Sequence, residues 1–337
     1  MLARLAIGAV FLSSLLAQPP AEQALADVPQ FRSQVDEVMV PITVTDDKGR
    51  FITNLDASDF RIWDQGKEQK VTYFSRERGQ PVVVGFLLDM SNATRLYWKS
   101  FQEAATELVF TLVPDDKRFS GYLVAYGTEA ELAVNTTQDP QPIVERIRKL
   151  KPGGGAALYD AIYLALTRRN IIKGEPIEPR PVLVIIGDGH DSASSKTLEE
   201  VLELAQRKRV TIYGMSTTAF GFTSEGTANL KRLCEETGGR VEFPLQGLYS
   251  DVSGYISNPS DAGNYSLTVG TGQYAAQVAK GIFSSVAALA GEVATQYILR
   301  YAPSLTGPER AFRQIRVEVN LPGVVVRHRT GYYLENP

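Results

Sequence analysis

The chain of 337 residues contains one cysteine, two histidines and two tryptophans, and it has no excess of basic residues. A single cysteine, Cys234, excludes an intrachain disulfide. It sits in the helical pattern Asn229–Glu235, where a buried small apolar side chain is the expectation. With only two histidines and no Gly-x-Ser-x-Gly elbow before either, a Ser-His-Asp hydrolase is a poor fit. The formal net charge of −3 argues against a nucleic-acid or anionic-membrane partner, which would need a basic surface. No internal repeat is visible. After residue 17 no stretch reads as a membrane span, because 274–298 is interrupted by Lys280 and Glu292.

What remains is ordinary globular material, 44% hydrophobic and 22% charged, long enough for two domains or for one domain with an appendage. Arg4 followed by the apolar stretch Leu5–Ala17 suits the h-region of a secretory leader. Ala24-Leu25-Ala26 offers a small-x-small cleavage site, with Ala17 a second candidate. A signal peptide over 1–26 and a secreted or periplasmic mature protein are therefore expected, with no lipid-attachment cysteine near the leader.

Two apolar runs each stop at an aspartate. Val82–Leu88 ends in Asp89-Met90-Ser91-Asn92-Ala93-Thr94, and Val182–Gly187 ends in Asp188-Gly189-His190-Asp191. Continuous β-branched runs mark strands buried on both faces, which belong to parallel sheets covered by helices. Ligands of such sheets bind beyond the carboxyl ends of the strands. Between 81 and 244, strands at 120–126, 182–187 and 210–216 alternate with helices at 96–113, 140–150, 157–172, 197–208 and 226–237. In the first helix Phe101, Ala105, Leu108 and Leu112 form a core-facing stripe. The outer parts read differently. Val38, Val40, Ile42 and Val44 alternate with their neighbours as a one-sided strand. Short strands follow at 60–63 and 69–74, and others at 298–301, 312–319 and 324–333. Asp64-Gln65-Gly66-Lys67 and Leu321-Pro322-Gly323 read as turns. Residues 246–272, rich in Gly, Ser, Asn and Tyr, read as a loop insertion, and 274–298 as a helix.

The motifs Leu88–Ala93 and Ile186–Gly189 resemble the von Willebrand factor type A domain. With Val40–Asp46, Leu55–Phe60, Gly155–Ala161 and Arg329–Tyr333, the mature chain resembles bacterial secreted proteins related to that domain. The resemblance implies an α/β fold with a three-layer, doubly wound, mostly parallel sheet over 81–245. The β segments 30–78 and 299–335 are expected to pair as a second, β-rich domain. The family's metal-ion-dependent adhesion site is Asp-x-Ser-x-Ser on the first loop, a threonine on the second and an aspartate on the third. Asp89, Ser91 and Asp188 match it, with His190 and Asp191 on the rim. Ala93 and Ala156 stand where the second serine and the threonine belong.

Mg²⁺ wants near-octahedral oxygen coordination, so a set lacking two of three hydroxyls implies a degenerate site with no cofactor expected, Mg²⁺ being the alternative. Thr94, Ser192 and Ser194 are nearby hydroxyls at spacings that do not match. Gly153-Gly154-Gly155 allows close backbone approach but lacks the Lys-Ser of a P-loop. His190 reads as an exposed loop residue and His328 as a surface residue. The expected function is non-catalytic binding of a protein or other extracellular macromolecule. The alternative is a metal-dependent, phosphatase-like hydrolase, because Gly187-Asp188-Gly189 resembles an acidic motif of haloacid-dehalogenase-type enzymes. Those enzymes carry a general-acid aspartate where this chain has Ser91.

Overall fold

Eight consecutive buried residues, Val82–Asp89, form β5 at the centre of a six-stranded sheet. This computed structural model describes residues 37–76, 80–173, 176, 178–218, 224–246, 272–303 and 311–333. The elements below all belong to the compact unit Asp36–Pro337. The expected signal peptide 1–26, the first residues of the 30–78 segment and nearly all of the 246–272 insertion lie outside the described residues. The central sheet runs β10-β9-β8-β5-β6-β7, with β6 at Phe119–Tyr126, β7 at Ala130–Thr137, β8 at Arg180–Gly187, β9 at Thr211–Ser216 and β10 at Val241–Glu242. All neighbours pair in parallel except β6 and β7, which are antiparallel.

Strand alternation assigns the side chains of β5 to two cores. Val82, Val84, Phe86 and Leu88 pack with Phe101, Leu108 and Leu112 of α1 (Trp98–Leu112), with Ile143 and Ile147 of α2 (Gln141–Lys149), and with Val278, Ile282 and Leu289 of α6 (Gly272–Thr295). Val83 and Leu87 pack with Leu158 and Ile162 of α3 (Leu158–Arg168), Val201 of α4 (Leu198–Arg207), and Leu230 and Cys234 of α5 (Glu225–Thr237). Each fully buried Val or Leu contributes about 1.5–3 kcal/mol. Gly85 leaves room on the second face, since a Cβ there would lie 2.5 Å from the Tyr122 ring. The helix ends are set locally. Thr197 and Glu200 form a capping box at α4, and Gly238, at φ +90°, terminates α5.

The terminal segments build two four-stranded sheets rather than one small sheet. The first runs β13-β1-β11-β4, from Val325–Arg327, Val38–Thr45, Tyr297–Tyr301 and Val71–Ser75. The second runs β14-β12-β2-β3, from Gly331–Tyr333, Phe312–Val319, Phe60–Asp64 and Lys67–Gln69. The stretch 324–333 is split between the two sheets because its two short strands pair with different partners, β1 and β12. One core joins both sheets, including Val38, Ile42, Ile62, Leu299, Ile315 and Tyr332. Within it Asp64 is buried and accepts from Arg313 (2.9 Å), Tyr301 Oη (3.0 Å) and Tyr332 Oη (2.9 Å).

Three sequence expectations are corrected. Strand β7 lies where only a connection was expected. As a half-buried edge strand, Ala-Glu-Leu-Ala-Val-Asn-Thr-Thr carries no continuous apolar run. Helix α6 over Ala276–Thr295 does reach the length and mean hydropathy, 1.2, of a membrane-crossing helix, despite Lys280 and Glu292. Its apolar stripe is packed into the core, and Glu292 is fully buried, bonded to Arg240 (2.7 Å), Arg327 (3.0 Å) and Thr43 Oγ1 (3.0 Å). His328 is not a surface residue. It accepts from the Val317 N–H at Nε2 (3.2 Å) and contacts the Arg329 carbonyl through Nδ1 (2.7 Å), and burial holds its pKa below the usual value.

Candidate functional site

Parallel pairing brings the ends of β5, β6 and β8 to one edge of the central sheet, with Asp89 directly opposite Tyr126. The Asp89 carboxyl is 1% exposed. Its Oδ1 accepts the Ser91 N–H at 2.7 Å, an Asx turn that bends the chain away from the strand. Among the described residues its Oδ2 has no hydrogen-bond partner, and neither do the buried hydroxyls Ser91 Oγ and Tyr126 Oη. A methyl on Gly187 would lie 2.4 Å from Tyr126 Oη and 3.1 Å from Asp89 Oδ2, so only a glycine admits this cluster. Burial is the main force on Asp89 and raises its pKa to about 6. The backbone N–H of Ser91 opposes the rise and the negative charge of Asp188 adds to it. Burial also raises the Tyr126 hydroxyl well above its ordinary value.

The structure thus brings Asp89, Ser91 and Asp188 together. Asp188 is half-buried, and its Oδ1 accepts the His190 N–H at 2.8 Å in a second Asx turn. His190 is exposed beside it. Asp191 points elsewhere. Its Oδ2 accepts the Tyr159 N–H (3.0 Å) and Ser194 Oγ (2.5 Å), and Ser194 Oγ accepts the Asp160 N–H (2.9 Å). Asp191 and Ser194 together cap the first turn of α3, where an anion is favoured by the free N–H groups. Asp160 returns the interaction, taking the N–H groups of Ser195 and Lys196 at 3.0 Å each.

The other nearby hydroxyls are committed to protein partners. Thr94 Oγ1 lies 3.0 Å from the Ser91 carbonyl and 3.2 Å from that of Asp89. Ser192 Oγ accepts the Ala156 N–H at 3.1 Å, while the Ala156 carbonyl accepts the N–H groups of Ser192 (2.8 Å) and Ala193 (3.1 Å). The Gly triplet brings the second loop against the first. The Gly153 N–H donates to the Met90 carbonyl (2.6 Å), and the Asn92 N–H donates to the Gly154 carbonyl (3.1 Å). The Gly155 N–H donates to Thr128 Oγ1 (3.1 Å).

A hard divalent cation needs about six oxygens. The unpartnered Asp89 Oδ2 and Ser91 Oγ, with the Asp188 carboxylate, are the donors present, and methyl groups occupy positions 93 and 156. Among the described residues no group of three or more His, Cys, Asp or Glu side chains is arranged to hold a metal ion. The described side chains thus supply three oxygen-bearing groups at this edge, Asp89, Ser91 and Asp188, and no oxygen from positions 93 and 156. Two participants escaped the sequence reading. Tyr126 was readable as the end of the neighbouring strand. The bonding of Ser192 to Ala156 depends on a loop conformation that no local pattern announces. Exposed Leu96, at 70%, projects from the turn that follows Ser91.

The sequence model of the von Willebrand factor type A domain family matches residues 84–246. No curated protein matches the chain in sequence. Among solved structures, a von Willebrand factor type A protein from Catenulispora acidiphila is 11% identical with a TM-score of 0.44, covering 82% of this chain and 73% of its own. Proximal thread matrix protein 1 from the mussel byssus is 16% identical with a TM-score of 0.38, covering 47% of this chain and 41% of its own, so the chain spans less than half of that protein. The conserved hypothetical protein BatB from Bacteroides thetaiotaomicron is 16% identical with a TM-score of 0.37, covering 59% of this chain and 99% of its own. By its motifs, its mixed sheet and the family match, the chain contains a von Willebrand factor type A domain, residues 84–246.

Proposed function

We propose that this is an exported, non-catalytic binding protein. In this reading it engages a protein or other extracellular macromolecule, by adhesion or protein–protein interaction, through the loops at the carboxyl end of the central sheet. The metal-ion-dependent adhesion site is degenerate, with Asp89, Ser91 and Asp188 as its remnant and His190 on the rim. Type A domains are in general non-catalytic interaction modules. The observation that carries the reading is the mutual bonding of Ala156 with Ser192 and Ala193, which supports loops organised by protein hydrogen bonds rather than by an ion. The two cores on opposite faces of β5 support a three-layer, doubly wound module over 81–245. The pairing of β1 and β4 with β11, and of β2 with β12, supports a β-rich partner domain built from 30–78 and 299–335. The leader-like stretch 1–26 supports a secreted or periplasmic location.

The phosphatase-like alternative draws on Asp89, whose raised pKa is of the kind found at catalytic carboxyls. A nucleophile must reach its substrate, and a 1% exposed carboxyl does not. The decisive experiment is affinity capture from the native envelope with the full chain, in the presence of EDTA. Capture should persist in EDTA and should fall at least tenfold with Leu96→Asp or His190→Glu, both at unchanged melting temperature. Capture that requires Mg²⁺, or that survives both substitutions, would overturn the proposal.

A further inference from the structure

At the opposite, amino-terminal end of the central sheet lies a cleft of about 250 Å³. Five of its lining side chains are cationic: Arg180, Lys208, Arg209, Arg300 and Arg329. Its two carboxylates are Glu37 and Glu178, and Glu178 is engaged by Arg300 at 2.9 Å. Arg180 and Arg329 are each only 4% exposed. Among the described residues neither has a carboxylate partner. Arg180 donates to the Gln296 amide oxygen (2.5 Å) and to the Val293 carbonyl (2.8 Å), and Arg329 donates to the Arg209 carbonyl (2.9 Å). Each keeps a buried Nε–H with no acceptor among the described residues.

An isolated buried cation is costly, and arginine does not escape by losing its proton near neutral pH. Carbonyl and amide dipoles offset part of the cost, including Val293 near the carboxyl end of α6. They do not neutralise the charge. Burial lowers both guanidinium pKa values to about 10, and the neighbouring Arg209 charge adds to the effect on Arg329. Two uncompensated charges in one cleft match one doubly charged anion. The planar guanidinium fork is shaped for two parallel bonds to a tetrahedral or carboxylate oxyanion. The four lining arginines against two carboxylates favour a dianion over a monovalent carboxylate.

We propose that this cleft, lined by Arg180, Arg209, Arg300 and Arg329, is a binding site for a tetrahedral dianion of the phosphate or sulfate class. It is separate from the Asp89 site and independent of the function proposed above. The test is thermal unfolding of the full chain at pH 7.5 with sodium phosphate, sodium sulfate or sodium acetate, each against chloride at matched ionic strength. At tenfold excess over its dissociation constant the dianion should raise Tm by on the order of 3 °C. Acetate should do no more than chloride, and the stronger of phosphate and sulfate names the group recognised.

Arg329→Met should abolish the shift without lowering the Tm measured in chloride, because a buried, unpaired charge has been replaced by an apolar group of similar length. Arg300→Gln, at the partly exposed rim, keeps the test intact where Arg329→Met fails to fold. It should weaken dianion binding at least threefold. A dianion shift equal to that of chloride or acetate would overturn the proposal. So would a shift that survives Arg300→Gln and, where it folds, Arg329→Met.

Discussion

Asp89→Asn tests whether the strand-end carboxylate is stabilised or merely tolerated. A carboxyl whose pKa rises from an ordinary 3.8 to about 6 on folding carries a penalty of about 3 kcal/mol when ionised in the native state. The sign follows from the direction. The pKa is higher folded than unfolded, so the penalty is absent below about pH 4. It grows as pH rises and is complete above about pH 6. Asparagine keeps the acceptor that holds the Ser91 N–H and removes the charge. Its Nδ2 inherits the position of the unpartnered Asp89 Oδ2, and an unsatisfied donor costs about 1–2 kcal/mol.

The variant should therefore gain about 1–2 kcal/mol at pH 7.5 in EDTA and gain nothing at pH 4. Urea denaturation at pH 4, 5, 6 and 7.5 measures this directly, with the denaturant slope checked for constancy. A variant less stable than the parent at pH 7.5 would refute the reasoning, because it would mean that the carboxylate is compensated. So would an advantage that did not shrink toward acid. Millimolar Mg²⁺ provides a second reading of the same pair. A complete metal site would stabilise the parent by about 2.7 kcal/mol at a hundredfold excess over Kd and leave the variant unmoved. The alanines at 93 and 156 predict no such divergence.

Two further substitutions probe the supports of the site and of the fold. Glu292→Gln leaves Arg240 and Arg327 facing a neutral amide in a fully buried position, and should cost about 3 kcal/mol in urea denaturation. A loss below about 1 kcal/mol would show that the three-residue cluster is dispensable. Asp191→Ala removes the acceptor for the Tyr159 N–H and Ser194 Oγ at the start of α3, and should cost about 1–2 kcal/mol. Hydrogen exchange at the Tyr159 amide should accelerate, and an unchanged rate would refute the capping role.

The central sheet was legible because parallel strands buried on both faces leave an unmistakable apolar run, as at Val82–Leu88 and Val182–Ile186. The first and third loops of the site were legible for the same reason, since each begins where a run stops. Edge strand β7 escaped because its burial is partial and its polar residues sit among apolar ones. Glu292 was read as an interruption of an apolar helix. Its meaning depends on Arg240 and Arg327, which are 52 residues before it and 35 after it in the chain. His328 was misread for a related reason: alternation with charged neighbours marks a strand face, but it does not say which polar residues are turned inward. Asp191 could be placed beside the sheet end from sequence. Its commitment to the amino terminus of α3 required the path of a loop.

The two ends of strand β8 show how the fold distributes charge. Arg180 begins the strand and Asp188 follows its last residue, so roughly 26 Å of extended chain separates them. At that distance a pair of unit charges interacts by only about 0.6 kcal/mol at an effective dielectric constant of about 20. The buried acid at the carboxyl end and the buried arginines at the amino end therefore cannot neutralise one another, although both are short of partners. Each end must be compensated locally, by hydrogen bonds, by a shifted protonation or by something bound. At the carboxyl end the first two are visible: Asx turns hold Asp89 and Asp188, and Asp89 moves toward protonation. At the amino end protonation offers no relief, because a guanidinium stays charged even with its pKa lowered to about 10. The sheet thus carries at its carboxyl end, in Asp89 of β5, a group that can discard its charge, while β8 begins with one that cannot, and that asymmetry is why the amino end calls for an external anion.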